Sequence, residues 1–92
     1  MSDRIRRQIL YSGRVQGVGF RYTATAVSRD YPVAGYVKNL SDARVEVVAE
    51  GEPSELDRFQ AALEEKMRCY VQQSTVRESD ATGEFSGFTV RH

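Results

Sequence analysis

Apolar and polar positions change period several times along the chain. Over 5–12, Ile5, Ile9 and Tyr11 share one parity and Arg7 interrupts it, which predicts a first strand. Phe20, Ala24, Val27 and Tyr31 recur at the spacing of one helix face, so a helix runs out over 22–29. Asp30-Tyr31-Pro32 ends it, because the residue before a proline disfavours helix. A second strand is predicted over 33–40, a short polar turn at Ser41-Asp42-Ala43, and a third strand over 44–50, where apolar and charged residues alternate. Gly51-Glu52-Pro53-Ser54 opens a second helix, with Pro53 in its first turn and Ser54 with Asp57 as a capping box with a shorter acid. Leu56, Phe59, Leu63, Met67 and Tyr70 form its apolar stripe, and Glu55, Asp57, Glu64, Glu65 and Lys66 its solvated face. A fourth strand follows over 71–78, a turn over 79–83, and a short fifth strand over 85–90 in which Gly87 marks a bulge.

The order βαββαβ plus a terminal strand predicts an α+β sandwich of ferredoxin-like type: an antiparallel sheet, two helices on one face, an extra C-terminal strand. No linker-like tract, repeat or low-complexity segment divides the chain, so residues 1–92 are expected to form one domain. In this topology the loop after strand one and the end of strand two reach the same end of the sheet. Arg21 opens the first helix there. Asn39, 18 positions later, closes the second strand there.

That loop, Ser12-Gly13-Arg14-Val15-Gln16-Gly17-Val18-Gly19-Phe20-Arg21, carries the candidate chemistry. Its glycines let successive N–H groups turn toward one point, and a helix N-terminus adds donors and a favourable dipole. Arg21 supplies a planar fork matched to phosphate oxygens. Asn39 offers an acceptor and a donor, and so can orient a water for in-line attack. Neither motif holds a histidine, cysteine or aspartate to act as nucleophile or strong base. Such a site suits only a good leaving group. An acyl phosphate releases a carboxylate of pKa near ~4 and needs no general acid. A phosphate monoester would release an alkoxide. A mixed carboxylic–phosphoric anhydride is therefore favoured. The glycines are not a Walker loop, since Lys-Ser/Thr does not follow, and not a dinucleotide GxGxxG, since Tyr22 stands where the third glycine would be.

Composition narrows the field further. Thirteen basic and 13 acidic residues balance, so no global charge draws the chain to nucleic acid or membrane. The apolar runs are too short to span a bilayer, and Met1-Ser2-Asp3-Arg4 lacks the apolar middle of a signal peptide. The single cysteine, Cys69, excludes an internal disulfide and fits a cytoplasmic setting; it reads as a small buried or half-buried residue. The single histidine, His92, reads as a frayed terminus, and one histidine with one cysteine leaves too few groups for a zinc site or a serine triad. Arg4, Arg6 and Arg7 read as one exposed stretch. A weaker reading joins them to Arg14, Lys38 and Arg44 as a positive rim that steers dianions. Tyr11, Tyr22, Tyr31, Tyr36 and Tyr70 read as packing residues. Nothing suggests an obligate dimer, so a monomer is expected.

Gly13-Arg14-Val15-Gln16-Gly17-Val18-Gly19-Phe20-Arg21, followed by Gly35-Tyr36-Val37-Lys38-Asn39, resembles the signature pair of the acylphosphatase family, and the likeness continues through Asp42-Ala43-Arg44 to Gly87-Phe88. The resemblance implies hydrolysis of acyl phosphates to carboxylate and inorganic phosphate, without metal, cofactor or covalent intermediate. It implies Arg21 as the phosphate-binding arginine and Asn39 as the water-orienting asparagine. Arg14, Val15, Gln16, Gly17, Val18, Gly19 and Phe20 become the phosphate cradle. The proton acceptor it implies is the substrate's own phosphate oxygen. The family usually has Asp-Gly at the hairpin turn. Ala43 tolerates positive φ poorly, so a different turn type is expected.

Two other readings compete. The βαββαβ layout also hosts RNA-recognition domains, but Glu46 and Glu50 on the third strand and the balanced charge oppose a nucleic-acid face. Similar domains also stand at the front of hydrogenase-maturation proteins that handle carbamoyl phosphate. A chain ending at His92 leaves no room for their remaining domains, so a free-standing protein is expected.

Overall fold

The computed structural model describes residues 3–92; Met1 and Ser2, where the reading of the N-terminus began, lie outside them. Seven elements follow one another: β1 (Ile5–Gly13), α1 (Phe20–Ser28), β2 (Ala34–Asn39), β3 (Val45–Gly51), α2 (Pro53–Met67), β4 (Val71–Asp80) and β5 (Phe88–Arg91). The sheet order is β4-β1-β3-β2-β5. The first four strands pair antiparallel, and β5 joins β2 in parallel, so the sheet is mixed at that edge. This is the ferredoxin-like sandwich with its extra strand.

Period-two residues of the central strands meet the helices. Ile9 lies opposite Val47 and Tyr11 opposite Val45. With Val37 and Ala49 they pack under Phe20, Ala24 and Val27 of α1 and Leu56, Phe59, Leu63 and Met67 of α2. The Tyr11 hydroxyl donates to Glu64 at 2.9 Å, and burial with that neighbouring carboxylate pushes its pKa up, so the phenol stays neutral. No helix among the described residues is long and apolar enough to cross a membrane.

Arg7 corrects the expectation of an exposed arginine stretch. It lies on the helix side of β1 and is only 8 % exposed. Its guanidinium donates to Asp57 (2.8 Å) and Gln60 (3.1 Å) on α2 and to Glu78 (2.8 Å) on β4. A buried cation is tolerated because every side of the fork has an acceptor. Nor do Arg6 and Arg7 reach the 14–20 loop. Arg7 stands roughly 20 Å down the strand from Gly13, at ~3.3 Å per residue. Arg6 is tied to Glu50 and Glu84, and Arg44 to Asp42.

Several element boundaries also shift. Glu52 is the N-cap of α2, without a side-chain cap bond, and Pro53 takes the first helical position, so Ser54 lies inside the helix and forms no capping box with Asp57. α2 stops at Met67, and Cys69 falls in the following turn, exposed rather than buried. β5 starts at Phe88, beyond Gly87; the irregular register lies in β1 against β4, between Ser12 and Gly13. Ala43 does adopt positive φ, 75°. Its neighbours hold it there: Leu40 N–H donates to the Arg44 carbonyl (2.8 Å), and Arg44 N–H to the Asp42 carboxylate (3.1 Å).

The connection from β4 to β5 must pass from one edge of the sheet to the other. It is fastened by Glu50, on the face away from the helices. This side chain is 1 % exposed. It accepts from Thr82 N–H (3.0 Å), Gly83 N–H (3.0 Å), the Thr82 hydroxyl (3.0 Å) and Arg6 Nε (2.8 Å). Further along, Phe85 packs on Tyr36 with ring centroids 5.9 Å apart, and Arg91 lies 4.1 Å over the Tyr36 ring. Burial alone would raise the Glu50 pKa; the four donors outweigh it and bring it from 4.5 to about 2. Between those values the unfolded chain binds more protons than the folded one. The stability Glu50 contributes is therefore fully present above pH 4.5 and is lost as pH falls toward 2. Glu50→Ala leaves two N–H groups and Arg6 without their acceptor and is expected to destabilise by about 2–4 kcal/mol. Urea unfolding at pH 7 measures this, and a loss below about 0.5 kcal/mol, the range of ordinary surface changes, would contradict the clasp.

Candidate active site

β1 delivers the chain to one end of the sheet at Gly13, and β2 arrives at the same end at Asn39. Between β1 and α1 the loop uses its residues in two ways. Val15 is fully buried and Val18 packs partly against the core, anchoring the loop from below. The Gln16 amide donates to the carbonyls of Leu40 (2.8 Å) and Arg44 (2.9 Å). Its side chain thus staples the loop to the β2–β3 turn, next to Asn39. Arg14 N–H is already committed to the Tyr70 carbonyl (2.9 Å).

The two remaining glycines of the loop are exposed. Gly17 (φ 77°) and Gly19 (φ 80°) adopt left-handed backbone, where an L side chain is strained. Gly19 is the N-cap of α1, without a side-chain cap bond and without an acidic residue in the first turn. The first helical bond is Thr23 N–H to the Gly19 carbonyl, 2.9 Å. The N–H groups of Phe20, Arg21 and Tyr22 precede it and have no acceptor in the helix. Free donors at the positive end of a helix dipole attract an anion.

A cleft of about 480 Å³ opens at this point, lined by Gly17, Gly19, Phe20, Arg21, Tyr22, Thr25, Asn39, Val90 and His92. It joins Arg21 at the start of α1 to Asn39 at the end of β2. Of the cradle residues expected from the sequence, Gly17, Gly19, Phe20 and Arg21 line it, while Arg14, Val15, Gln16 and Val18 do not. Gln16→Leu removes the staple but adds little volume. Because a shift of about 1 Å in a reacting geometry can cost roughly 10²-fold, it is expected to lower turnover by about 10–10² while the protein stays folded. Steady-state kinetics beside a thermal melt checks this.

His92 lies just past the end of β5 and is exposed, as expected of a terminal residue, and it also lines the cleft. β5 runs parallel to β2 on the outer edge, so its end arrives at the cleft. Arg21 Nη1 lies 3.4 Å from His92 Nδ1. A guanidinium can only donate, so the imidazole nitrogen accepts. Tyr22 corrects an expectation: it is 79 % exposed at the cleft, not packed in the core.

Two glycines in left-handed backbone, the first N–H groups of a helix, an arginine and a strand-end asparagine thus meet at one end of the sheet of an α+β sandwich. Comparison with known proteins narrows the class. The acylphosphatase family model matches residues 7–90. The chain is 40% identical over 88 residues to the acylphosphatase of Marinobacter nauticus, covering 95% of this chain and 96% of that one. The crystal structure of acylphosphatase from Bacillus subtilis superposes with a TM-score of 0.86 at 33% identity, covering 96% of this chain and 99% of that one. Full-length HypF, solved in a phosphate- and nucleotide-bound form, contains a similar region (TM-score 0.85, 28% identity) that covers 100% of this chain and 12% of HypF. The chain belongs to the acylphosphatase family, enzymes that hydrolyse acyl phosphates.

Proposed function

We propose that the chain hydrolyses acyl phosphates by in-line attack of water on a phosphoryl group held by Arg21 and the 14–20 loop. The observation that carries this is one cleft shared by Gly17, Gly19, Phe20, Arg21 and Asn39. The phosphoryl oxygens take the N–H groups at the start of α1 and the fork of Arg21. Asn39 holds the attacking water through its amide. The water oxygen bonds to phosphorus as the bond from phosphorus to the acyl oxygen breaks. The acyl oxygen leaves with the electron pair as a carboxylate, and the water proton passes to a phosphate oxygen. The products are one carboxylate and inorganic phosphate. A carboxylate leaves without protonation, so the reaction needs no acid, nucleophile, metal or cofactor beyond these residues.

One domain over residues 1–92 is sufficient for this activity, as a cytoplasmic monomer with no nucleic-acid or membrane partner. The test is hydrolysis of benzoyl phosphate in EDTA, beside p-nitrophenyl phosphate. Cleavage of the acyl phosphate alone, undiminished by EDTA, is the expected result. Loss of activity in EDTA, or equal cleavage of the monoester, would overturn the reading.

A further inference from the structure

Among the described residues three large hydrophobic side chains stand exposed: Tyr22, Val76 and Val90, at 79 %, 43 % and 36 %. Two of the three, Tyr22 and Val90, converge on the cleft beside Arg21 although they come from different elements. Singly, an exposed apolar residue needs no explanation. Two of them flanking an anion site are a different matter. The inward stripe of α1 is taken by Phe20, Ala24 and Val27, which leaves Tyr22 on the flank of the helix. Val90 stands opposite Val37 in the parallel pair that brings β5 to the cleft.

The cleft is also larger than a phosphoryl group requires. At about 480 Å³ it falls in the range of roughly 300–1,000 Å³ that holds a small organic ligand. Its polar donors are Arg21, Asn39 and the helix-end N–H groups. Beyond them the lining is Tyr22, Thr25, Val90 and His92. The Thr25 hydroxyl donates to the Arg21 carbonyl at 2.8 Å, so its proton is used within the helix. Among the described residues no aspartate, glutamate or lysine lines the cleft.

We infer that Tyr22 and Val90 form a binding wall for the acyl group, and that the substrates this site prefers carry an aromatic or branched aliphatic acyl body rather than a small or charged one. The inference rests on the hydrolase reading of the same site. The phosphoryl end is fixed by its donors, so the acyl end must extend along the rest of the cleft, where apolar contact with Tyr22 and Val90 removes surface from water. The wall acts on binding of the acyl group, and the donors act on the phosphoryl group.

Binding of two stable analogues, benzoylphosphonate and acetylphosphonate, tests the wall without turnover. Calorimetry on the wild type is expected to show the benzoyl analogue bound about tenfold more tightly. In Tyr22→Ala combined with Val90→Ser that ratio should fall to about threefold or less, while the inhibition constant of inorganic phosphate changes by no more than about twofold. Tyr22→Ala alone, at a largely exposed position, repeats the test should the double variant not fold. A wild-type ratio near one, or a ratio kept in the variants, would overturn the inference. The same comparison in kcat/KM for benzoyl and acetyl phosphate separates the two claims. Binding of the phosphonates with neither acyl phosphate hydrolysed would reject the reaction, and the phosphonate ratio would still decide the wall.

Discussion

Replacing Arg21 by alanine is expected to lower turnover of benzoyl phosphate by at least about 10²-fold, the effect of removing one key donor to a transition state. Among the described residues that line the cleft, Arg21 is the one with a two-pronged cationic fork, and charge develops on the phosphoryl oxygens as the bond to the acyl oxygen stretches. The N–H groups of Phe20, Arg21 and Tyr22 survive the substitution because they belong to the backbone. Inorganic phosphate should therefore still bind, more weakly. Stability should change little, since the side-chain partner of Arg21 is His92 at 3.4 Å, on the exposed side of the cleft. Arg21→Lys should restore the charge but not the fork, and so recover only part of the loss. Turnover, the inhibition constant for phosphate and a thermal melt on the three proteins check this. Near-normal turnover by Arg21→Ala at saturating substrate would remove Arg21 from the mechanism.

The repeating parts of the fold were legible because each rests on a local period. Ile9 and Tyr11 alternate onto the core face, and Phe20, Ala24 and Val27 recur on one helical stripe, so β1 and α1 follow from spacing alone. What escaped depends on partners far away in sequence. Arg7 sits on the inward parity of β1, and only Asp57 and Gln60, 50 and 53 positions on, with Glu78, 71 on, make that position tolerable. Glu50 alternates as a surface charge would, yet its four donors come from Arg6, Thr82 and Gly83. Phe85 fits a strand pattern, but its ring lies over Tyr36 as the chain crosses the sheet, and β5 forms only from Phe88.

The site divides in the same way. Gly17, Gly19 and Arg21 announce themselves, because positive φ and a planar cation need particular residue types. Gln16 was legible only as part of a motif; its role as a staple to Leu40 and Arg44 depends on the hairpin folding back beside it. His92 and Val90 reach the cleft because β5 lies parallel to β2. That parallel register was the missing signal: once β5 is placed beside β2 running the same way, its last residues must arrive where Asn39 does.

Asn39→Ala is expected to separate turnover from binding. Asn39 is the last residue of β2, paired with Val45 through its backbone, so truncation leaves the strand in place. The donors proposed for the phosphoryl group, the start of α1 and Arg21, belong to another element and keep their geometry. Inorganic phosphate should bind within about threefold of wild type, since no donor to it is removed. Turnover should fall by about 10²-fold, because an unheld water must be oriented at the moment of attack. Asn39→Asp sharpens the distinction. A carboxylate can accept a proton from water but cannot donate, and its charge faces an incoming dianion. Its deficit in kcat/KM should therefore shrink as pH falls toward the ordinary aspartate range near ~4, whereas the deficit of Asn39→Ala should not. Equal loss of phosphate binding and turnover in Asn39→Ala would instead make Asn39 part of the cradle, and the water would need another holder.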